Sequence, residues 1–78
     1  MSKLPNLKPR EIVTILLHAG FIEHTTHSTH RTYKHPGKKL YTTVSFHTRT
    51  IPQGTLRAII RQAGMTTYEF LSYRKKKK

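Results

Sequence analysis

The sequence predicts a two-layer α+β domain in which helices flank a three-stranded antiparallel sheet, in the order α-β-β-β-α. Three observations predict this order. Two segments carry apolar residues at helical spacing, three shorter segments between them are rich in β-branched and aromatic residues, and short turns separate those three. Because each helix must bury its apolar stripe, both helices are expected to pack on one face of the sheet.

The first helix is predicted to begin at Pro9, since the first helical turn does not need the N–H that proline lacks. Its apolar residues recur at intervals of three and four: Ile12, Ile15, Leu16 and Ala19, with Val13 and Leu17 widening the stripe. Gly20 is expected to end the helix in a left-handed conformation. Before the helix, Leu4 and Leu7 are expected to hold an extended arm against the domain.

The three strands are predicted at residues 21–26, 29–35 and 40–46. Pro36 and Gly37, followed by two lysines, mark the turn between the second and third strands. Strand alternation places four residues of the third strand on one face: Leu40, Thr42, Val44 and Phe46. The short turns predict an antiparallel meander.

The second helix is predicted to follow residues 51–54, and its apolar stripe consists of Leu56, Ile59, Ile60 and Ala63, with Gly64 as its cap. Thr66 to Glu69 has the form of a capping box, and it predicts a final short helix that carries Phe70 and Leu71. We assign residues 1–73 to one domain and residues 74–78 to a basic tail that we expect to be disordered. The order of elements matches that of the double-stranded-RNA-binding domain (dsRBD), although a fold alone does not assign a function.

Charge is the strongest functional feature of the composition. Fifteen Lys and Arg residues against three acidic residues give a formal net charge of +12. Without the five basic residues from Arg74 to Lys78 the +12 becomes +7, so the excess also belongs to the domain. Such a surface attracts polyanions, and the release of counterions from nucleic acid supplies affinity. The charge therefore favours nucleic acid as the partner, with an acidic protein or anionic lipid as alternatives.

Several other classes are excluded by composition. The chain has no cysteine, so neither a disulfide framework nor a thiolate zinc site is possible. No apolar run approaches the ~18 residues that span a bilayer. The amino terminus lacks the apolar segment of a signal peptide. We therefore expect a cytoplasmic protein with no membrane partner.

The candidate chemistry centres on His30, within the second predicted strand. Imidazole has an unperturbed pKa of about 6.5, so it can take and return protons at neutral pH. RNA supplies its own nucleophile, the 2′-OH, and metal-free cleavage then needs a proton acceptor, a proton donor and cations for the phosphate. Neighbouring residues suit the supporting roles: Thr29 to orient the imidazole or contact a phosphate oxygen, and Arg31, Lys34, Lys38 and Lys39 to contact phosphate.

Each of these residues also has a simpler interpretation. A strand histidine in a basic protein is more often a surface residue than a catalyst. Zinc binding by His24 and His30 with His35 or His47 is conceivable, although no Cys and no nearby pair of carboxylates accompanies them. His35 fits a solvated turn residue, and His18 is expected to interact with the carboxyl end of the first helix. Four tyrosines are candidates for base stacking: Tyr33, Tyr41, Tyr68 and Tyr73. Sheet packing explains the first two equally well.

Three blocks of the sequence together resemble the HicA family of mRNA interferase toxins. They are Gly20-Phe21, then Ser28-Thr29-His30-x-x-Tyr33-x-His35-Pro36, then Pro52-x-Gly54-Thr55-Leu56-Arg57-x-Ile59-x-Arg61-Gln62-Ala63-Gly64. The amino-terminal segment that contains Leu4-Pro5-x-Leu7 and Arg10-Glu11-Ile12 fits longer members of the family. The resemblance covers roughly residues 4 to 71, and the last block is its most specific part.

The resemblance implies a dsRBD-like toxin that cleaves mRNA without a metal or other cofactor and is held inactive by a HicB-type antitoxin. The catalytic histidine of the family follows a Gly-Ser pair, and His30 is the position that aligns with it without gaps. Here the preceding pair is Ser28-Thr29, which keeps a hydroxyl at Thr29 but lacks the backbone freedom of glycine. The turn after His35 also resembles the Pro-Asp-Gly turn of many relatives shortened by one residue.

The principal alternative function is a non-catalytic RNA-binding module in which His30 is only a contact. A DNA-binding domain is a weaker alternative, because a sheet separates the helices and no helix-turn-helix is present. Only the enzyme would produce cleaved RNA.

Overall fold

The computed structural model describes residues 4–27, 29–47 and 49–75. Its elements confirm the α+β class and the dsRBD-like order: α1 (Pro9–His18), β1 (Ile22–His27), β2 (His30–His35), β3 (Leu40–Ser45), α2 (Gln53–Gln62) and α3 (Thr67–Ser72), followed by a 3₁₀ helix over Tyr73–Lys75. The ends of the strands differ from the predicted ends by at most one residue. The proposed domain boundary falls at the first residue of the 3₁₀ helix, and residues 76–78 lie outside the described ranges.

The sheet has the order β1-β2-β3 with antiparallel pairing throughout, so β2 is the central strand. Between β2 and β3 the register pairs His30 with Ser45, Tyr33 with Thr42 and His35 with Leu40. The pairing of β1 with β2 has one irregularity, between Glu23 and Thr25. Since cross-strand partners share a face, this register decides which side chains lie under the helices.

The helices cover the face that carries Tyr33, Thr42 and Val44. These three residues are buried, and Tyr33 is only 1% exposed. The core also contains apolar residues of the arm, the helices and the loop before α2: Leu4, Leu7, Ile12, Ile15, Leu16, Phe21, Ile51, Leu56, Ile59, Ile60, Ala63 and Phe70. The other side of the sheet, which we call the open face, carries His30, Thr32, Lys34, Tyr41 and Thr43.

The burial pattern decides one open alternative and corrects one prediction. Tyr33 packs in the core, which confirms sheet packing over base stacking for this residue. Leu17 is 49% exposed, and it lies outside the buried stripe of α1 because Ile12, Ile15 and Leu16 already define that stripe. The predicted burial of Leu4 and Leu7 is confirmed.

The amino-terminal arm is tied to the start of α2. The amide of Ile51 donates to the carbonyl of Leu7 over 2.9 Å. The side-chain amide of Gln53 donates to the carbonyl of Leu4 over 3.1 Å. The arm therefore fixes the amino end of α2 relative to the sheet.

Both predicted glycine caps are confirmed, and Gly20 is the more constrained. Its φ is +103°, the amide of Gly20 donates to Leu17 and the amide of Phe21 donates to Leu16, as in a Schellman motif. A Cβ at Gly20 would lie 2.9 Å from Nε2 of His35. That imidazole is half-buried, meets the Phe21 ring edge-on and accepts the amide of Lys38 at Nδ1. The prediction of a solvated His35 is wrong, because the ring packs over the cap of α1.

Gly20→Ala is expected to lower the free energy of unfolding by about 1–3 kcal/mol, because alanine disfavours the positive φ and its methyl group meets His35. Gly54→Ala is the matched control. Gly54 is in the first turn of α2 and a Cβ there meets nothing within 4 Å, so alanine should raise stability by roughly 0.5 kcal/mol. Urea denaturation measures both changes. Equal effects of the two substitutions would contradict the cap assignment.

Candidate active site

His30 is the first residue of β2 and projects from the open face. Its side chain is exposed, and Nδ1 lies 3.3 Å from Oγ1 of Thr29. Tyr33, three residues further along the strand, is in the core on the other face, so alternation keeps the imidazole of His30 in solvent. The hydroxyl of Thr29 is therefore the hydrogen-bonding neighbour of Nδ1.

A second imidazole reaches the same place because β3 pairs beyond its last assigned residue. The amide of Phe46 donates to the carbonyl of Thr29, which extends the ladder one step past the His30–Ser45 pair. His47 follows directly. Its ring centroid lies 5.7 Å from that of His30, with the ring planes tilted by 60°.

The two imidazoles border a pocket of about 220 Å³ between the sheet and α2. The pocket is lined by two histidines, two hydroxyl side chains and two apolar residues: His30, His47, Ser45, Thr55, Ile51 and Pro52. Oγ of Ser45 is buried and has no hydrogen-bond partner among the described residues. An unpaired buried hydroxyl is uncommon in proteins.

The amino end of α2 forms one wall of this pocket. Pro52 is the N-cap and contributes no side-chain hydrogen bond. The first helical bond runs from the amide of Leu56 to the carbonyl of Pro52, so the preceding amides have no acceptor within the helix. Such amides, together with the positive end of the helix dipole, favour an anion.

Arg31 lies on the opposite side of β2 from His30. It pairs with Val44, and its guanidinium carbon sits 4.5 Å from the centroid of the Phe46 ring. There it lines a second concavity of about 440 Å³ with four cations and one aromatic ring among its walls: Lys8, Pro9, Arg10, Arg31, Phe46 and Arg49. We call this concavity the basic pocket. It lies at the same end of β2 as His30 but on the helix side of the sheet.

The predicted lysines are not gathered at His30. Lys34 shares the open face but is four residues further along β2, about 13 Å away at 3.3 Å per residue, and its Nζ lies 5.7 Å from the Tyr41 ring centroid. Lys38 and Lys39 are in the turn at the opposite end of the strand. Of the five residues predicted to support His30, Thr29 makes the one recorded side-chain contact with it among the described residues, and Arg31 lies nearby on the reverse face.

Two other described histidines make contacts away from the His30 pocket. His24 meets the Tyr41 ring edge-on with centroids 5.4 Å apart. His18 contacts the carbonyl of Tyr73 through Nδ1 at 3.2 Å, so it links α1 to the 3₁₀ helix in addition to its place in the last turn of α1. Within the described ranges no three His, Asp or Glu side chains are grouped closely enough to hold a metal ion.

Sequence reasoning missed most of the pocket lining. From the sequence, His47 is a candidate only for zinc binding, and Ser45, Thr55 and Pro52 have no predicted role at the site. The predicted turn determines where His47 lies. When His35 pairs with Leu40, His30 lies opposite Ser45, and His47 follows two residues after Ser45. Lys8, Arg10 and Arg49 of the basic pocket are distant in sequence, and only the fold brings them together.

Comparison with known proteins identifies the family of the chain. A model of the family described as "HicA toxin of bacterial toxin-antitoxin" matches residues 9–65 of the 78-residue chain. The chain belongs to the HicA toxin family. The matched range runs from the start of α1 through the Gly64 cap of α2, so it contains the sheet, His30 and the whole lining of the His30 pocket. No curated protein matches the chain. None of the described helices combines the length and apolar character needed to cross a membrane.

Proposed function

We propose that this HicA-family toxin is a metal-independent endoribonuclease that cleaves mRNA in the cytoplasm, with His30 as its catalytic histidine. The observation that carries the proposal is the exposed imidazole of His30 at a pocket beside the amino end of α2. Cleavage of mRNA would stop translation and growth, which accounts for toxicity. A HicB-type antitoxin would neutralise the protein.

The chemistry requires proton transfer beside a phosphodiester. The 2′-OH of RNA attacks the adjacent phosphorus, and the bond to the 5′-oxygen breaks. His30 is suited to proton transfer because its exposed imidazole lines the pocket and its Nδ1 lies beside the hydroxyl of Thr29. The products are a 2′,3′-cyclic phosphate and a 5′-hydroxyl.

The pocket also suits the phosphate group. The free amides at the start of α2 are donors for non-bridging oxygens. The exposed hydroxyl of Thr55 is a further donor in the same lining. Donors fixed by backbone structure stabilise the charge that grows on phosphate in the transition state, without needing to reorganise.

The RNA that flanks the cleaved bond runs past the basic pocket. Its four cationic side chains lie near the same end of β2 as His30. One of them, Arg31, directly follows His30 in the strand. In this proposal Arg31 contacts a phosphate there, while Lys34, Lys38 and Lys39 contact more distant nucleotides along the open face. Arg31 and the three lysines lie towards opposite ends of β2, so they bind different parts of one RNA strand.

The second candidate function is a non-catalytic RNA-binding module. It is favoured by Tyr41, which is 48% exposed on the open face between His24 and the ammonium group of Lys34. An aromatic ring beside cations is a platform for base stacking. This platform needs no catalytic histidine, so the two functions separate on whether RNA is cut.

His30→Ala is expected to reduce the rate of mRNA cleavage by about 10²–10⁴-fold, the range for removal of a positioned proton-transfer group. His24→Ala is the control, because this exposed histidine lies outside the pocket. Gel analysis of purified protein with mRNA measures both rates. EDTA should leave the wild-type rate unchanged. If His30→Ala cuts as fast as wild type, or if zinc restores activity that EDTA abolished, the assignment is wrong.

Arg10→Gln is expected to weaken binding to single-stranded RNA and to reduce the slope of log K against log salt by about 0.7, the value for one lost phosphate contact. Arg57→Gln is the matched control, since Arg57 is an exposed helix arginine that lines a different concavity. Fluorescence anisotropy over a salt series measures both slopes. The same decrease in both variants would assign RNA binding to overall charge and not to the basic pocket.

The antitoxin is expected to present an acidic surface that covers the His30 pocket, because the chain carries a net charge of +12. Its association should therefore slow as ionic strength rises. Stopped-flow mixing of toxin with its cognate antitoxin at low and high salt measures this rate, and inhibition of cleavage confirms that the site is blocked. An association rate that does not depend on salt would contradict the acidic interface.

A further inference from the structure

We infer that His47 is a second catalytic residue of the same pocket and that it shares proton transfer with His30. The inference rests on the proposed function, since it concerns the same cleavage reaction. It differs from a single-histidine mechanism in assigning the proton acceptor and the proton donor to two side chains. The juxtaposition that supports it is the pair of imidazoles, 5.7 Å apart, on the rim of one pocket.

The distance lets both rings reach one phosphodiester that lies across the rim of the pocket. Each imidazole can reach one oxygen through a hydrogen bond of about 2.6–3.2 Å, so rings with centroids 5.7 Å apart can serve the attacking and the leaving oxygen of one phosphate. Both side chains are exposed, so each exchanges protons with water between turnovers. The backbone bond from Phe46 to Thr29 fixes the segment before His47, which holds the two rings on one rim.

The surroundings of the pocket make these two rings its proton-transfer groups. Among the described residues, His30 and His47 are the only titratable side chains in its lining, whose other members are hydroxyl or apolar residues. His27 is the cross-strand neighbour of His30 in β1 but does not line the pocket. Neither do the described arginines and lysines: those nearest in sequence line the basic pocket or lie further along the sheet, and Arg57 and Arg61 line a different concavity on α2.

Two groups also fit the geometry of the reaction better than one. The attacking and leaving oxygens lie on opposite sides of phosphorus in an in-line displacement. One imidazole, neutral, takes the proton of the 2′-OH as the O2′–P bond forms. The other, protonated, gives its proton to the 5′-oxygen as the P–O5′ bond breaks. In each turnover the basic imidazole gains one proton and the acidic imidazole loses one. Proton exchange with water then restores the starting protonation of both rings.

The first test is the kinetics of His47→Gln, which keeps a polar side chain but removes the titratable ring. We expect kcat to fall about 10²-fold or more, with little change in KM. The pH profile of kcat/KM should be bell-shaped for wild type and should lose one limb in the variant. His24→Gln and His27→Gln are controls for the loss of a histidine elsewhere on the sheet, and both should keep the wild-type profile.

The second test separates proton donation from phosphate binding. An RNA in which sulfur replaces the 5′-oxygen at the cleaved bond has a leaving group that departs without a proton. Loss of the acid should therefore be largely rescued on this substrate, and loss of the base should not. We expect rescue in one of the two variants, His47→Gln and His30→Ala, and not in the other. Rescue in neither or in both would overturn the pairing.

These outcomes also distinguish the inference from the proposed function. If wild type does not cut RNA, or if His30→Ala cuts normally, the proposed function fails. If wild type cuts RNA and His30→Ala does not, but His47→Gln keeps kcat and a bell-shaped profile, only the role of His47 is overturned. An effect of His47→Gln on KM alone would make His47 an RNA contact and would likewise overturn the inference.

Discussion

The register of the central strand β2 determines most of this structure. Tyr33 is buried against the helices and pairs with Thr42, while His30 projects from the open face opposite Ser45. A shift of one residue would exchange the two faces, burying His30 and exposing Tyr33. The burial of one aromatic ring in the core therefore keeps the candidate catalytic imidazole in solvent. It also puts Arg31 on the reverse side, where the basic pocket forms.

The second determinant is the placement of the amino end of α2. Leu4 and Leu7 are buried, and the carbonyls of both bond to the segment that contains Ile51 and Gln53. Packing of the arm thus brings the start of α2 against the end of the β2–β3 ladder. The pocket exists only where these two elements meet, so residues far from it in sequence contribute to its shape.

Local patterns were sufficient to predict the elements from the sequence. Helical spacing identified α1 and α2, and the conformational demands on Gly20 and Gly64 identified their ends. The sequence predicts the site less completely, because closeness to His30 along the chain does not imply closeness in the folded structure. Strand geometry places Lys34 well along the sheet and Arg31 on the other face. The role proposed for His47 depends on the hairpin register, and the basic pocket depends on tertiary packing that no local pattern encodes.

The central claim is that His30 serves RNA cleavage, and the chemistry of the RNA ends tests it most directly. A defined mRNA is incubated with wild type and with His30→Ala, and the new termini are identified by enzymatic end-labelling and mass spectrometry. The account predicts 2′,3′-cyclic phosphate and 5′-hydroxyl ends with wild type and intact RNA with the variant. The same ends at the same rate with both proteins, or no new ends with either, would contradict it.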